Sequence, residues 1–529
     1  MREALKQLDK RVYVMTFAMI ILLLILLGVC PEMITGWING LFSLAVEKFG
    51  WLYILTNCGC FVLFFYLYFG KYGNIKLGGP EEKPRFSTFS WAAMIFTSGA
   101  GSSTVILGFV EPVSYLTNTP FHIKAMSNKA YEYAHMYGQF HWGISAWAFY
   151  VPAIAAISYM LYKRNSKSVK ISDTLVPLFG GKFANSWVGK IIDSIVALGI
   201  VASITTSLGL GVPVMSELIA DTFGIKQTVW LQLFVFLVWF LIFGWSVFRG
   251  MDNGIRKLTN VNMLIIFAFL IAFFLVSPMN DIIRMEMNSI GLYLDELPRM
   301  MFNTDPFGDR KFVNDWTMFY WGWWLIFIPI MGMFVAKVSR GRTLKQVLLG
   351  QMIWGSLGCC TFLGILGGYS LYLQKHGIVD LVSIVKNEGN GKAVLAIMQT
   401  LPLSKVFIVV LIILCFVFLA TTIDSTAMVL GSATSKGLHP DEDPHLYNRF
   451  SWALAIFALA IALSFTGGLQ LVQRFAIVLG FPLIFITGLM SASVLKAMKE
   501  DYGNKTKEEI IKIENDLEIK RKQSGDMSS

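Results

Sequence analysis

The sequence predicts an all-α polytopic membrane protein with about twelve transmembrane helices. Three observations predict it. Apolar runs of about 20 residues, enough to cross bilayer hydrocarbon at roughly 1.5 Å per residue, recur along the whole chain. Composition agrees, since 55% of the 529 residues are hydrophobic and only 15% are charged, with mean hydropathy +0.59. The basic excess, net +10, is gathered in alternate loops.

Taken in order, the runs centre at about residues 21, 60, 102, 150, 203, 238, 266, 326, 358, 417, 457 and 483. The first, Val12 to Val29, is long for a signal-peptide core and lacks a small-residue cleavage site, so it reads as a retained helix. Basic clusters stand at Arg2 to Arg11, Lys71 to Arg85, Lys163 to Lys182, Arg249 to Lys257, Lys337 to Lys345, Lys436 to Arg449 and from Lys496 onward. The positive-inside rule then places both termini in the cytoplasm and requires an even number of spans. Charge of this pattern orients a protein in a bilayer and implies no nucleic acid. Cys30, Cys58, Cys60, Cys359, Cys360 and Cys415 lie in or beside apolar segments, without the spacing of a disulfide framework or a zinc site. No metal, no cofactor and no catalytic residue are expected.

The eighth run opens with the densest aromatic stretch of the chain, from Asp315 to Leu325. At helical spacing Trp316, Tyr320, Trp323, Trp324 and Phe327 share one side. Aromatic faces attract a bulky, poorly hydrated cation by roughly 0.5 to 2 kcal/mol per ring once desolvated, which suits a quaternary ammonium group. An interfacial aromatic belt accounts for Trp316 and Tyr320. Trp323 and Trp324 lie roughly 10 to 12 Å deeper, inside the hydrocarbon, and favour a site.

In the third run, Thr97-Ser-Gly-Ala-Gly-Ser-Ser-Thr104 places Gly99, Ala100, Gly101, Ser102 and Ser103 in mid-membrane, a poor helix and a good place for one to break. Freed amides and carbonyls survive there only where they face protein or a polar cavity, and in transporters they bind substrate or ions. Close packing through small residues is the competing reading. Gly322, Pro329 and Gly332 suggest an interruption in the eighth span too. Runs three and eight are five apart, the spacing of two inverted five-helix repeats, as in a LeuT-like core. The expected division is two N-terminal helices (residues 1–86), a first repeat (87–280), an external amphipathic helix (281–312), a second repeat (313–498) and a cytoplasmic tail (499–529).

The fourth run supplies Trp142, Trp147 and Tyr150, placed to complete an aromatic box. Thr421, Thr422 and Thr205 to Ser207 offer hydroxyls that suit Na⁺ or, equally, bond their own helix carbonyls. Asp424 is costly in a membrane and implies function or a buried network. Residues 510–519 read as a short helix within a solvated tail that ends disordered.

Five segments together resemble the betaine/choline/carnitine transporter family: Trp316-Thr-Met-Phe-Tyr-Trp-Gly-Trp-Trp324, Arg340-Gly-Arg-Thr343, Phe140-His-Trp142, Thr205-Thr-Ser-Leu-Gly-Leu210 and Leu297-Pro-Arg-Met-Met-Phe-Asn-Thr-Asp-Pro306. The last, with Met331, is most similar to the carnitine/γ-butyrobetaine antiporter branch. The resemblance implies a secondary transporter in the cell membrane of a prokaryote, working as a homotrimer on a quaternary ammonium substrate. By position it implies a box of Trp142, Trp323 and Trp324 with Trp147 and Tyr150 beside it, and an outer vestibule lined by Trp316. It also implies a sodium-independent exchanger in which Arg256 and Met331 stand in for two cations. Ser114 and Phe327 replace tyrosines of the carnitine antiporter, while Glu111-Pro112, Thr421 and Thr422 resemble the sodium-coupled branch, so a glycine-betaine symporter is the alternative. A membrane enzyme or a channel lacks support, since no nucleophile–base pair and no filter motif stands in the sequence.

Overall fold

The computed structural model describes residues 7–166, 168–250, 256–436, 438 and 442–515, with backbone alone at 246–250, 256–258, 467, 469 and 515. Among the described residues the fold is helical, relieved only by two isolated β-bridges, Leu8 with Ser435 and Lys76 with Thr343. The helices used below are α1 (Lys10–Val29), α2 (Gly50–Phe69), α3 (Thr88–Gly99), α4 (Ser102–Tyr115), α5 (Asn128–Trp142), α6 (Val151–Tyr162), α7 (Trp187–Phe223), α8 (Val229–Gly250), α9 (Arg256–Val276), α10 (Met279–Met301), α11 (Met318–Val338), α12 (Leu344–Phe362), α13 (Ser404–Ala433), α14 (Leu446–Tyr502) and α15 (Lys507–Asn515). Among the described residues ten helices are long and apolar enough to cross a membrane, or 11 with the bent pair α3 and α4. The remaining expected span falls on α8, whose apolar part Val229–Trp245 is shorter. In α14 the two spans expected near residues 457 and 483 meet at Gly468, whose φ of 62° and ψ of −161° only glycine adopts at ease.

The third span is broken where the sequence runs out of helix formers. Ala100 (φ −117°, ψ 145°) and Gly101 (φ −133°, ψ −164°) are extended, and the half-helices α3 and α4 diverge by 64°. The eighth span is not interrupted, contrary to the expectation. It runs as continuous α11, entered through a π-helical turn at Val313–Thr317. Its glycines bring helices together instead of unwinding one. A Cβ on Gly322 would meet the Ile477 Cα at 3.0 Å, one on Gly480 the Gly322 carbonyl oxygen at 2.7 Å, and one on Gly332 the Ala153 Cβ at 2.6 Å. Every residue of α11 is buried, with α6, α7 and α14 packed around it. A helix apolar all round belongs at the centre of a bundle.

α10 is the expected amphipathic helix. Its polar face docks on α5, with Gln139 Nε2 donating to Glu286 at 2.6 Å, Tyr133 Oη to Glu296 at 2.6 Å, and His135 Nδ1 bonded to Ser289 Oγ at 2.7 Å. Its apolar face of Ile283, Met287, Ile290 and Leu294 is exposed. The stretch from Lys375 to Lys405 forms helices Leu381–Asn387 and Asn390–Gln399, divided at Gly389 (φ 90°) as its Gly-Asn-Gly sequence predicts.

Several basic loops meet the chain ends: Lys71 donates to the Gly503 carbonyl at 2.8 Å and the Lys436 amide to the Gln7 carbonyl at 2.7 Å. Asp9, fully buried, accepts from Lys170 and, at 2.8 Å, from Lys190. Burial acts to raise its carboxyl, but the bonds and charges of the two lysines outweigh burial and bring it to about 2. α15 is not a solvated tail. Ile510 and Glu514 are buried, and Glu514 accepts from Lys163 at 2.5 Å, from Tyr502 at 2.7 Å and from the Lys76 amide at 3.2 Å. A short amphipathic helix docks where its one buried acid meets a lysine, a match that no local pattern displays. Residues 516–529, which hold the end of the expected helix and the stretch expected to be disordered, lie outside the described residues.

The contact between α11 and α14 generates a test. Gly480→Ala forces the helices apart at a cost of about 1 to 3 kcal/mol, and should lower the unfolding temperature in detergent by several degrees. Gly488→Ala, where a Cβ meets nothing within 4 Å, should not. Equal unfolding temperatures would show that this backbone contact does not set the packing.

Candidate substrate site

The aromatic stretch and the fourth span meet where α5 ends and α11 begins. Trp142 is the last residue of α5, and its indole stands at 87° to Trp323 and 89° to Trp324, with centroids 5.7 and 5.3 Å away. Tyr320 lies 5.6 Å from Trp142 and 6.2 Å from Trp323, and Phe327 lies 6.0 Å from Trp323 and 6.5 Å from Trp324. Trp147 and Tyr150 close the other side, 6.5 and 5.9 Å from Trp324. All seven rings are buried. At these separations the rings touch one another, so a cation must part them to sit within about 6 Å of each.

Two indole N–H groups are committed to the protein. Trp142 Nε1 donates to Glu111 Oε2 at 2.8 Å, and Trp324 Nε1 to the His141 carbonyl at 2.9 Å. Trp323 Nε1 and Tyr150 Oη have no hydrogen-bond partner among the described residues. Buried donors of this kind cost free energy until something accepts from them.

The break between α3 and α4 lies against this box. A Cβ on Gly99 would stand 2.7 Å from the Trp147 ring and 3.0 Å from the Met331 methyl, and one on Gly101 would stand 3.2 Å from Thr422 Oγ1. Met331 Sδ accepts from Ser98 Oγ at 3.6 Å. Thr422 Oγ1 bonds the carbonyls that the break frees, Thr97 O at 3.2 Å and Ala100 O at 3.3 Å. Thr421 Oγ1 turns back to the Phe418 carbonyl at 2.6 Å, and Thr205, Thr206 and Ser207 likewise bond their own helix. Ser102 Oγ is buried without a partner among the described residues and lies toward α7, where a Cβ on Gly211 would meet it at 3.4 Å. Ser103, on the first turn of α4, is also buried.

One residue grouped with the box in sequence stands apart from it. Ser114 Oγ bonds the Val110 carbonyl of its own helix at 3.1 Å and lines an open cleft of about 380 Å³ together with Trp316, Asp315, Phe319 and Arg474. Trp316 joins cleft to box, 4.8 Å from Tyr115 and 6.4 Å from Tyr320. Arg256 opens α9, and its side chain lies outside the described residues.

Sequence reasoning treated Glu111 as a marker of family branch and gave His141 no role. The structure puts both beside the box. Glu111, fully buried, accepts from Tyr115, Tyr320 and Trp142, and Tyr115 Oη in turn bonds His141 Nδ1 at 2.7 Å. The signal was present, because an ionisable residue inside an apolar run is functional by default. Asn262, buried in α9 with neither amide atom partnered among the described residues, carried the same signal.

A helical bundle with a broken span against a buried group of aromatic rings is an architecture that secondary transporters use. A family model of betaine/carnitine/choline family transporters (BCCT) matches residues 11–503, and the chain belongs to that family. Its members are multi-pass membrane transporters of small quaternary ammonium compounds, not enzymes.

The packing behind Trp147 offers a test of the cage. A Cβ on Gly355 would fall 2.2 Å from the Trp147 ring. Gly355→Ala should therefore displace that indole and raise the half-saturating substrate concentration by about fivefold to thirtyfold, the loss of one ring. Unchanged half-saturation would remove Trp147 from the site.

Proposed function

We propose that the protein exchanges one N-methylated zwitterion for another, such as carnitine, γ-butyrobetaine or a related betaine, by alternating access and without a sodium gradient. The observation that carries this reading is the near-perpendicular setting of Trp142 against Trp323 and Trp324, with Tyr320 and Phe327 alongside. A trimethylammonium group has no proton to lose and none to donate, so several π faces suffice to hold it. Trp323 Nε1 and Tyr150 Oη are free to bond the carboxylate.

Sodium independence is supported at the break. The carbonyls of Thr97 and Ala100 already accept from Thr422, and Met331 presents a soft thioether, a poor ligand for a hard cation. Arg256 supplies a fixed positive charge in this reading. The second reading, a sodium-coupled betaine symporter, draws on Thr421 and Thr422, whose hydroxyls serve Na⁺ if the local bonds open. In the exchange reading, with both termini cytoplasmic, Trp316 lines the outer vestibule. The apolar face of α10 meets a second copy in a homotrimer, since Ile283, Met287, Ile290 and Leu294 are exposed among the described residues. A single-protomer mass in mild detergent with transport retained would contradict the trimer.

The deciding experiment is uptake into liposomes preloaded with the same substrate, with Na⁺ replaced by K⁺ on both sides. Carnitine, γ-butyrobetaine, glycine betaine and proline betaine are each tried. Equal rates are expected in the two salts, and Trp324→Leu should weaken binding by about 1 to 2 kcal/mol, up to roughly thirtyfold. Silence without Na⁺ would replace the exchanger by the symporter. Full binding of all four ligands by Trp324→Leu would discard the cage.

A further inference from the structure

We propose that Lys170, Lys190 and Lys436 form a site for a phosphate group, carried by an anionic phospholipid or free in solution, where the spans α1 and α7 begin and α13 ends. The inference is independent of the aromatic box.

Asp9, the residue before α1, stands at the centre. The Lys170 and Lys190 ammonium groups both donate to the same oxygen of it, Oδ2, Lys190 at 2.8 Å, while Oδ1 has no hydrogen-bond partner among the described residues. Both lysine side chains are only 6% exposed. An ammonium group has three N–H donors and each of these spends one, so two on each are left without an acceptor among the described residues. Asp193, the other buried acid near Lys170, does not take them. Its two oxygens accept from the Ser172 amide at 3.0 Å and the Ser172 hydroxyl at 2.7 Å.

The two lysines border a cavity of about 320 Å³. Exposed Lys436 lines it as well, and so do two neutral donors, the exposed Asn185 and Ser168, whose hydroxyl accepts from the Lys170 amide at 3.2 Å and keeps its own proton to give. The cavity thus sets three lysines against two acids, Asp9, already shared by two of them, and Asp173. Water would accept from the spare N–H groups without answering the charge. A phosphate does both, with several oxygens and a negative charge at once. Its level in the bilayer also fits a headgroup. The apolar run of α1 begins one residue after Asp9, Trp187, Val188 and Ile191 on the first turns of α7 are exposed, and the Arg11 guanidinium stands 5.5 Å over the Trp187 ring. Exposed tryptophan beside arginine marks the interface, where basic pockets between spans take anionic headgroups. The Asp9 amide donates to the Thr434 carbonyl at 2.8 Å, so an occupant braces the chain start and the α6–α7 segment against the end of α13, the helix whose Thr422 holds the broken span.

Thermal unfolding of the full-length protein, delipidated in mild detergent, tests this. Three ligands are titrated at constant ionic strength: inorganic phosphate in place of chloride, dioctanoyl phosphatidate, and dioctanoylglycerol, which has the same chains and no phosphate. Phosphatidate is expected to raise the unfolding temperature by about 2 to 4 °C along a saturating curve, and dioctanoylglycerol to leave it unchanged. A saturating rise with inorganic phosphate too supports recognition of the phosphate itself. A rise with phosphatidate alone assigns the site to lipid, and one with inorganic phosphate alone to the free anion. Lys190→Gln should weaken the binding by about tenfold and Lys436→Gln by about threefold. Asp9→Asn should tighten it by about tenfold or more, because the lysines lose the carboxylate that competes for them, whereas a merely structural triad would lose stability and gain no affinity. Lys436 is exposed, so its variant decides if those at Asp9 and Lys190 fail to fold. No rise with either phosphate compound, an equal rise with dioctanoylglycerol, or parent affinity in Lys436→Gln would each overturn the site.

Discussion

An indole has one N–H, and where that N–H is bonded decides where the ring face points. Trp142 gives its N–H to Glu111 and Trp324 gives its to the His141 carbonyl. Neither N–H is then free inside the box, and the rings that meet there present their faces to a ligand that parts them. The arrangement ties three helices to one point, since Glu111 belongs to α4, His141 and Trp142 to α5, and Trp324 to α11. The fully buried carboxylate would be costly alone, and its three donors offset that cost while holding the rings. A buried polar network of this kind is useful only when every member is satisfied.

The broken third span follows from the same need to satisfy buried polar groups. Extended backbone at Ala100 and Gly101 frees carbonyls that hydrocarbon cannot solvate. Thr422 of α13 meets two of them, which ties α13 to the break. On the other side Gly99 lets Trp147 and Met331 approach closer than any larger residue allows. Box and break are thus one construction, with Trp147 shared between them. α11 carries no break because its glycines are used for contact with α14 and α6.

The spans were legible in the sequence because hydrocarbon imposes a length on each apolar run, and every expected run falls on a helix. The break at Gly99 to Gly101 was legible because several weak helix formers fall together. So was the ring grouping on α11, which needs only helical periodicity. What was not legible depends on partners distant in sequence. The acceptors of the Trp142 and Trp324 indoles, the docking of α10 by its polar face, and the burial of Glu514 all arise from pairing across the bundle. Periodicity gave the right face for the rings of α11 and an amphipathic α10 whose apolar residues lie outside the bundle, but not the polar partners that Glu286, Ser289 and Glu296 find on α5. Glu111 and Asn262 mark a simpler oversight, since a polar residue in an apolar run already asks for a partner.

The central claim is that positive charge, not shape, holds the ligand in the box. Glycine betaine and 3,3-dimethylbutanoate have the same outline and the same carboxylate, and differ by a nitrogen cation in place of a neutral carbon. Their affinities for the purified protein, followed by tryptophan fluorescence, measure the π contribution with no mutation at all. With several rings around the cation, the betaine binds more than about thirtyfold more tightly, beyond one ring's share of cation attraction. Equal affinity would mean that the rings form an apolar pocket and nothing more.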